Sequence, residues 1–215
     1  QPHLKSWDSM VRIARNTGHR LIPDDMKEIS IVATVPPQHM YGLETSIMLP
    51  LQHKGALHGG RTFFPIDIRD ALETVPPDRM LITTPTHLKA CIESSVKFPK
   101  ISLIISATAP LSRKLAENAE QLLETRVFEI YGCTEAGSLA TRQSTKSNAW
   151  KLLDEIKLTG NNDQSYIEAT YLPQPIKLPD IIKNGENGQF DLQGRSADLI
   201  NIGGKRTSLG ELNYH

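Results

Sequence analysis

Residues 127–138 read Val-Phe-Glu-Ile-Tyr-Gly-Cys-Thr-Glu-Ala-Gly-Ser, an apolar run from Val127 to Ile130 that passes into Tyr131-Gly132-Cys133-Thr134-Glu135 and then into small residues. The apolar run reads as a strand, and the next glycine marks a loop at its carboxyl end. In open α/β sheets ligands are held there, because the carboxyl ends of strands open into a crevice lined by backbone groups. An aromatic face, a hydroxyl and a carboxylate delivered together at such a point suit a nucleotide. Tyr131 would cover a base, Gly132 would let the backbone approach, Thr134 would hydrogen-bond a phosphate oxygen, and Glu135 would hold Mg²⁺, a hard cation that takes oxygen ligands. The same residues also read as an ordinary tight turn, with Thr134 capping a helix and Glu135 in its first turn.

On both sides of this stretch the apolar pattern alternates between the strand and helix periods, as an α/β fold requires. Ser6 to Arg15 sets Trp7, Met10, Val11 and Ala14 on one helical face, and Ile29 to Val35 reads as a buried strand ended by Pro36-Pro37. Gly42 to Gln52 reads as an apolar helix, and Gly59-Gly60 introduces a short strand over Arg61 to Phe64. Met80 to Thr83 and Ile101 to Ser106 are further strands, with helices near Thr86 to Ser95 and Leu111 to Leu123. Beyond Arg142 the pieces become shorter and β-like, Leu152 to Leu158 and Tyr166 to Tyr171, with a turn at Asn161-Asn162-Asp163. Pro173, Pro175 and Pro179 then precede a final hairpin. The expected architecture is a layered, mostly parallel sheet with a shorter β-rich region towards the C-terminus.

Composition excludes several classes of function. The 215 residues carry 24 basic and 24 acidic side chains, so no net charge marks a nucleic-acid surface. The apolar stretch around Ile101 to Ile105 is far too short to span a bilayer. Without an apolar segment at the start, a cytoplasmic location is expected. Cys91 and Cys133 form neither a Cys-x-x-Cys pair nor a disulfide framework, and no base near Cys133 in sequence would activate it as a nucleophile. His53, His58 and His87 lack metal-ligand spacing.

Three further blocks narrow the reading. Residues 179–211 contain Asp180, then Gly194-Arg195 after a turn, then Gly203-Gly204. Pro37-Gln38-His39-Met40-Tyr41-Gly42-Leu43 and Ser106-Ala107-Thr108-Ala109-Pro110-Leu111 lie upstream. Together with Tyr131 to Glu135, these blocks resemble, in order, those of the adenylate-forming (AMP-binding) superfamily of acyl- and aryl-CoA synthetases, peptide-synthetase adenylation domains and luciferases. Gln1-Pro2-His3-Leu4-Lys5 resembles the segment just after that family's phosphate loop. The resemblance therefore implies a fragment of a larger enzyme. Residues 1–194 would be a partial AMP-binding large domain, and 195–215 the hinge and start of a small domain.

The resemblance also implies a chemistry. A carboxylic acid is activated by ATP as an acyl-adenylate and then passed to a thiol, that of coenzyme A or of the phosphopantetheine on an acyl carrier protein. Glu135 would hold Mg²⁺ and Thr134 the α-phosphate, with Arg195 reaching ribose or phosphate oxygens. Asp180 would take both ribose hydroxyls, which the two oxygens of a carboxylate permit. Ala107 and Thr108, where relatives often carry glycine, would border the adenine, and His39 and Met40 the acid. Ala197 would be the pivot, with Asp198 beside it in place of the usual charged residue. Gly203 and Gly204 would line the thiol tunnel. Two other readings stay open: a non-catalytic nucleotide- or acyl-binding module, and an unrelated doubly wound hydrolase or transferase. The second lacks a Gly-x-Ser-x-Gly elbow, a Gly-x-Gly-x-x-Gly fingerprint and a Walker-type loop.

Overall fold

The computed structural model describes residues 4–161, 164–195, 199–202 and 205–208. The chain opens with helix α1, Trp7–Leu21, capped by the Ser6 hydroxyl, which accepts from the Ser9 N–H. This helix runs six residues beyond the expected Arg15, because Gly18 does not end it but lies against the His53 ring, where no β-carbon would fit.

Strand β1, Ile29–Ala33, leads to a broken helix made of α2 (Met40–Gly42), a π-helical segment (Leu43–Met48) and α3 (Leu49–Gln52). Then come β2 (Gly55–Leu57), α4 (Pro65–Thr74), β3 (Arg79–Thr83), α5 (Pro85–Glu93), β4 (Leu103–Ser106), α6 (Arg113–Leu123) and β5 (Val127–Cys133). The remaining elements among the described residues are strands: β6 (Gly137–Arg142), β7 (Trp150–Leu152), β8 (Ile156–Asn161), β9 (Gln164–Ala169), β10 (Ile176–Lys177), β11 (Asp180–Asn184), β12 (Gln189–Arg195), β13 (Leu199–Ile202) and β14 (Lys205–Ser208). The expected division between 194 and 195 falls at the last residue of β12.

Among the described residues nine strands form one sheet in the order β11-β12-β7-β6-β5-β4-β3-β1-β2, beside a small antiparallel sheet β10-β9-β8 and the β13-β14 pair. From β2 to β5 the pairings are parallel, and from β5 to β11 they are antiparallel. Strand β5, which carries Tyr131, is thus the strand at which the sheet changes sense.

In the parallel half, alternate residues face opposite sides, as the strand period of two requires. Val32, Leu81, Ile104 and Val127 pack with Ile68, Leu72 and Leu88 of α4 and α5. Ile31, Met80, Ile82, Leu103 and Ile105 pack on the other side with Leu21, Tyr41 and Leu49. Both faces are covered, which is why these strands read as continuous apolar runs. A third cluster, including Leu139, Trp150, Ile167, Ile182 and Phe190, fills the antiparallel half. Helix α1 is tied to that half by Asn16 Nδ2, which donates to the Asp154 carbonyl at 3.0 Å, and by the Arg20–Asp154 ion pair at 2.9 Å.

Several expectations are corrected. Arg61 to Phe64 is not a strand. The place beside β1 is taken by β2, and this segment instead leads into α4, where the Phe64 N–H donates to Asp67 Oδ2 at 2.9 Å. The apolar helix Gly42 to Gln52 is not regular, because it widens into the π-helical turn over Leu43–Met48. Leu152 to Leu158 is not one strand, because β7 ends at Leu152 and β8 begins at Ile156. Tyr41, in the Pro37 to Leu43 block, is core. Its hydroxyl donates to the carbonyls of Ile105 at 2.9 Å and Thr83 at 3.2 Å, and burial pushes its ionisation far above the ordinary phenol range.

Candidate active site

The Tyr131 to Glu135 stretch is strand and turn rather than loop and helix. β5 continues through Cys133, residues 134–136 turn, and β6 returns antiparallel. No helix follows, so Thr134 caps nothing. Cys133 pairs with Gly137, Gly132 with Ser138, and Tyr131 with Ala140, leaving Leu139 as an extra residue in β6. Such a bulge sharpens twist and re-aims side chains beside a site. Both glycines are required by this geometry. A β-carbon on Gly132 would run into the carbonyl oxygen of Gly137, and Gly137 itself sits at φ +87°. Thr134 and Glu135 stand exposed at the apex. Glu135 borders a cleft of about 690 Å³ together with Lys5, Asp8, Tyr171 and Lys177, a size that accommodates small ligands. Tyr131 and Asp180 do not line that cleft.

Tyr131 packs instead against the core of the antiparallel half. Its hydroxyl donates to Asp180 Oδ2 at 2.7 Å, although β5 and β11 are separated by three strands in the sheet order. The twist of the antiparallel half curls β11 back over the end of β5. The Tyr131 ring meets Trp150 of β7 at 5.7 Å and Phe190 of β12 at 5.8 Å between centroids, favourable tilted and edge-on geometries. Asp180 and Arg195 are direct partners across the β11–β12 ladder. Tyr131 and Asp180, from separate blocks, therefore meet.

Ala107 is buried, and Thr108 follows at φ +78°. A β-branched residue held there stores roughly 1–3 kcal/mol of strain, a cost found mainly at ligand-binding loops. His39 is exposed and caps α2, its Nδ1 accepting from the Tyr41 N–H at 3.3 Å, while Met40 is half-buried. Burial pushes the Cys133 thiol up to about 11, so it is protonated at neutral pH and no nucleophile. Ala197, Asp198, Gly203 and Gly204 lie outside the described residues.

Two buried carboxylates in the site escaped the sequence reading. Glu129 accepts two hydrogen bonds from Arg142, at 2.7 and 3.0 Å, and one from the Leu111 N–H at 3.3 Å, so it ties the Ala107 to Leu111 loop to β5. Arg142 also stacks on the Trp150 ring at 4.4 Å. Glu44 accepts from Ser138. The available signal was a charge inside an apolar run, Phe128-Glu129-Ile130 and Leu43-Glu44-Thr45, which demands a partner. Among the described residues no three His, Cys, Asp or Glu side chains gather as a metal cage. An exposed carboxylate such as Glu135 suits Mg²⁺, which keeps several waters and is commonly shared with substrate phosphates.

This mixed sheet is the architecture of adenylate-forming enzyme domains. Solved structures with the same arrangement include ATP-bound MatB from Rhodopseudomonas palustris (TM-score 0.78, 18% identity, 99% of this chain and 48% of that one). Another is wild-type E. coli MenE with an OSB-AMS analogue (TM-score 0.76, 18% identity, 97% and 48%). The chain belongs to the AMP-binding enzyme family, whose model matches residues 6–169. Curated relatives are the 4-coumarate–CoA ligases of Halorhodospira halophila, 26% identical over 216 residues, and Rhodobacter capsulatus, 26% identical over 215 residues. These alignments cover 99% and 98% of this chain and 52% of each relative, so the chain spans about half the length of the curated relatives it matches. Among the described residues no helix is long and apolar enough to cross a membrane.

Proposed function

We propose that the full-length gene product activates a small-molecule carboxylic acid with ATP and passes the acyl group to a thiol. In the first step a carboxylate oxygen bonds to the α-phosphorus while the bond to the bridging oxygen breaks, giving acyl-adenylate and pyrophosphate. In the second a thiol sulfur bonds to the acyl carbon, its proton is lost, and AMP leaves. The thiol is that of coenzyme A or of a carrier-protein phosphopantetheine. The observation that carries this reading is the 2.7 Å contact between Tyr131 and Asp180, which joins the far edge of the antiparallel half to the strand that leads into Thr134 and Glu135.

Phosphoryl chemistry asks the protein chiefly for positioning and for relief of oxygen charge. In the proposed roles Asp180 accepts from the ribose hydroxyls, its orientation fixed by Tyr131. Thr134 donates to the α-phosphate, and Glu135 holds Mg²⁺, which would neutralise phosphate oxygens when bound. Arg195 supplies a cation near ribose or phosphate, the Ala107-Thr108 backbone borders the base, and His39 and Met40 face the acid.

The test is pyrophosphate release by the full-length protein with ATP, Mg²⁺ and a panel of aliphatic and aromatic acids. Release that depends on the acid is expected. A protein inert to every acid, yet binding AMP, would leave a non-catalytic nucleotide-binding module instead. Asp180→Ala should weaken AMP binding by about 1.5–3 kcal/mol for each hydrogen bond lost to the charged group. Asp180→Asn, which keeps an acceptor, should lose less. Calorimetry giving the same AMP affinity for Asp180→Ala would remove Asp180 from the site.

A further inference from the structure

Glu44 is a carboxylate that the proposed chemistry does not use. It lies in the π-helical segment, 3% exposed, and meets donors on two sides. Its Oε2 accepts from the Ser138 N–H at 2.9 Å and from the Ser138 hydroxyl at 2.7 Å, and its Oε1 faces Lys5 Nζ at 3.4 Å. Burying a carboxylate is costly unless such donors offset the lost water.

The local sequence shapes the helix that delivers it. The hydroxyls of Thr45 and Ser46 donate back to the carbonyls of Tyr41 and Gly42, both at 2.6 Å, and such back-bonding bends helices. Pro50 has no N–H to offer the Ser46 carbonyl. The turn widens, so that the Leu49 N–H bonds the Glu44 carbonyl five residues back, an arrangement that recurs at functional sites. On the receiving side, a β-carbon on Gly137 would collide with Glu44 Oε1, so the carboxylate occupies the space a side chain would fill. Helix and hairpin are thus fitted to each other at the foot of the turn that displays Thr134 and Glu135.

We propose that Glu44 is a positioning residue: by holding Ser138 and filling the space over Gly137, it fixes where Thr134 and Glu135 stand against phosphate and metal. It touches neither reactant, and its effect passes through the hairpin. The identity of the ligand rests on the adenylation reading, whereas the mechanical link from Glu44 to the turn does not.

Glu44→Ala and Glu44→Gln in the full-length protein separate the two. Hydrogen exchange of residues 131–142 is measured alongside pyrophosphate release with Mg-ATP and acid varied independently. In Glu44→Ala, exchange over 131–142 should rise on the order of tenfold, with residues 79–83 and 103–106 unchanged. The KM for Mg-ATP should rise on the order of tenfold or more, because small misplacements of positioning groups are costly, while the KM for the acid holds. Glu44→Gln, whose amide oxygen still accepts from Ser138, should restore both towards wild type.

Unchanged exchange over 131–142 in Glu44→Ala, equal rises in both KM values, or identical behaviour of the Ala and Gln variants would overturn the proposal. If Glu44→Ala does not fold, Ser138→Ala removes one of the donors alone and should give a smaller rise in the KM for Mg-ATP, and no rise would count against the link. A wild-type protein that releases no pyrophosphate with any acid would sink the adenylation reading, and the exchange contrast between Ala and Gln would still decide the role of Glu44.

Discussion

Arg142→Leu should lower the stability of the fold by about 3–5 kcal/mol, the usual cost of stranding one partner of a buried ion pair. The Glu129 side chain is only 4% exposed, and Arg142 supplies two of the hydrogen bonds that keep its carboxylate acceptable there. The other donor, the Leu111 N–H at 3.3 Å, is too weak to replace a guanidinium. The variant also loses the stacking on Trp150, which packs at the centre of the antiparallel core. Urea unfolding followed by tryptophan fluorescence measures the loss. The double variant Glu129→Leu, Arg142→Leu supplies the control, since an apolar pair of similar volume commonly recovers most of such a loss. A single variant within about 1 kcal/mol of wild type, against the cost expected of a stranded buried charge, would mean that Glu129 finds water, and the pair would then be incidental to the core.

How far the sequence could be read depended on which physical signal each element carried. The parallel strands β1, β3, β4 and β5 were legible because both their faces are buried, which turns Leu103 to Ile105 and Met80 to Ile82 into unbroken apolar runs, whereas the largely exposed edge strand β2 carries no such run. Helix α4 was missed because Asp67, Arg69, Asp70 and Glu73 dilute its stripe of Ile68, Ala71 and Leu72. Phe63 and Phe64 imitated a strand, yet both lie more than half exposed ahead of that helix. Strand β6, Gly-Ser-Leu-Ala-Thr-Arg, has weak β propensity and is held by its pairing with β5, a tertiary effect that no local window contains.

The same division runs through the site. Tyr131 and Asp180 belong to separate family-like blocks, and their meeting depends on the curl of five strands. Glu44 and Glu129 were passed over because each sits in an apolar stretch and was read as part of its pattern. The partners that satisfy them, Ser138 and Arg142, lie 94 and 13 residues away. A lone charge in an apolar run announces that a partner exists, and only the fold says where.

Glu135→Gln in the full-length protein is expected to depress acid-dependent pyrophosphate release on the order of 10²-fold or more, the scale of losing one preorganised charge-stabilising group. Glutamine keeps the size and an oxygen donor but not the charge, and an amide oxygen is a poor substitute for a carboxylate towards a hard divalent cation. The residue stands exposed at the apex of the 134–136 turn, so the fold loses little by the change and the melting temperature should stay within a few degrees of wild type, as for most surface substitutions. The loss should be partly recovered by raising Mg²⁺, because a weakened site fills at higher metal concentration. Transfer from a supplied acyl-adenylate to the thiol should continue, since pyrophosphate has already left and the metal has no β- or γ-phosphate to hold. A rate of pyrophosphate release equal to wild type at low Mg²⁺ would take Glu135 out of the metal site. A loss that Mg²⁺ cannot relieve and that extends equally to the transfer step would assign Glu135 to the shape of the turn instead. That outcome would move the weight of the first half-reaction onto Thr134 and Arg195.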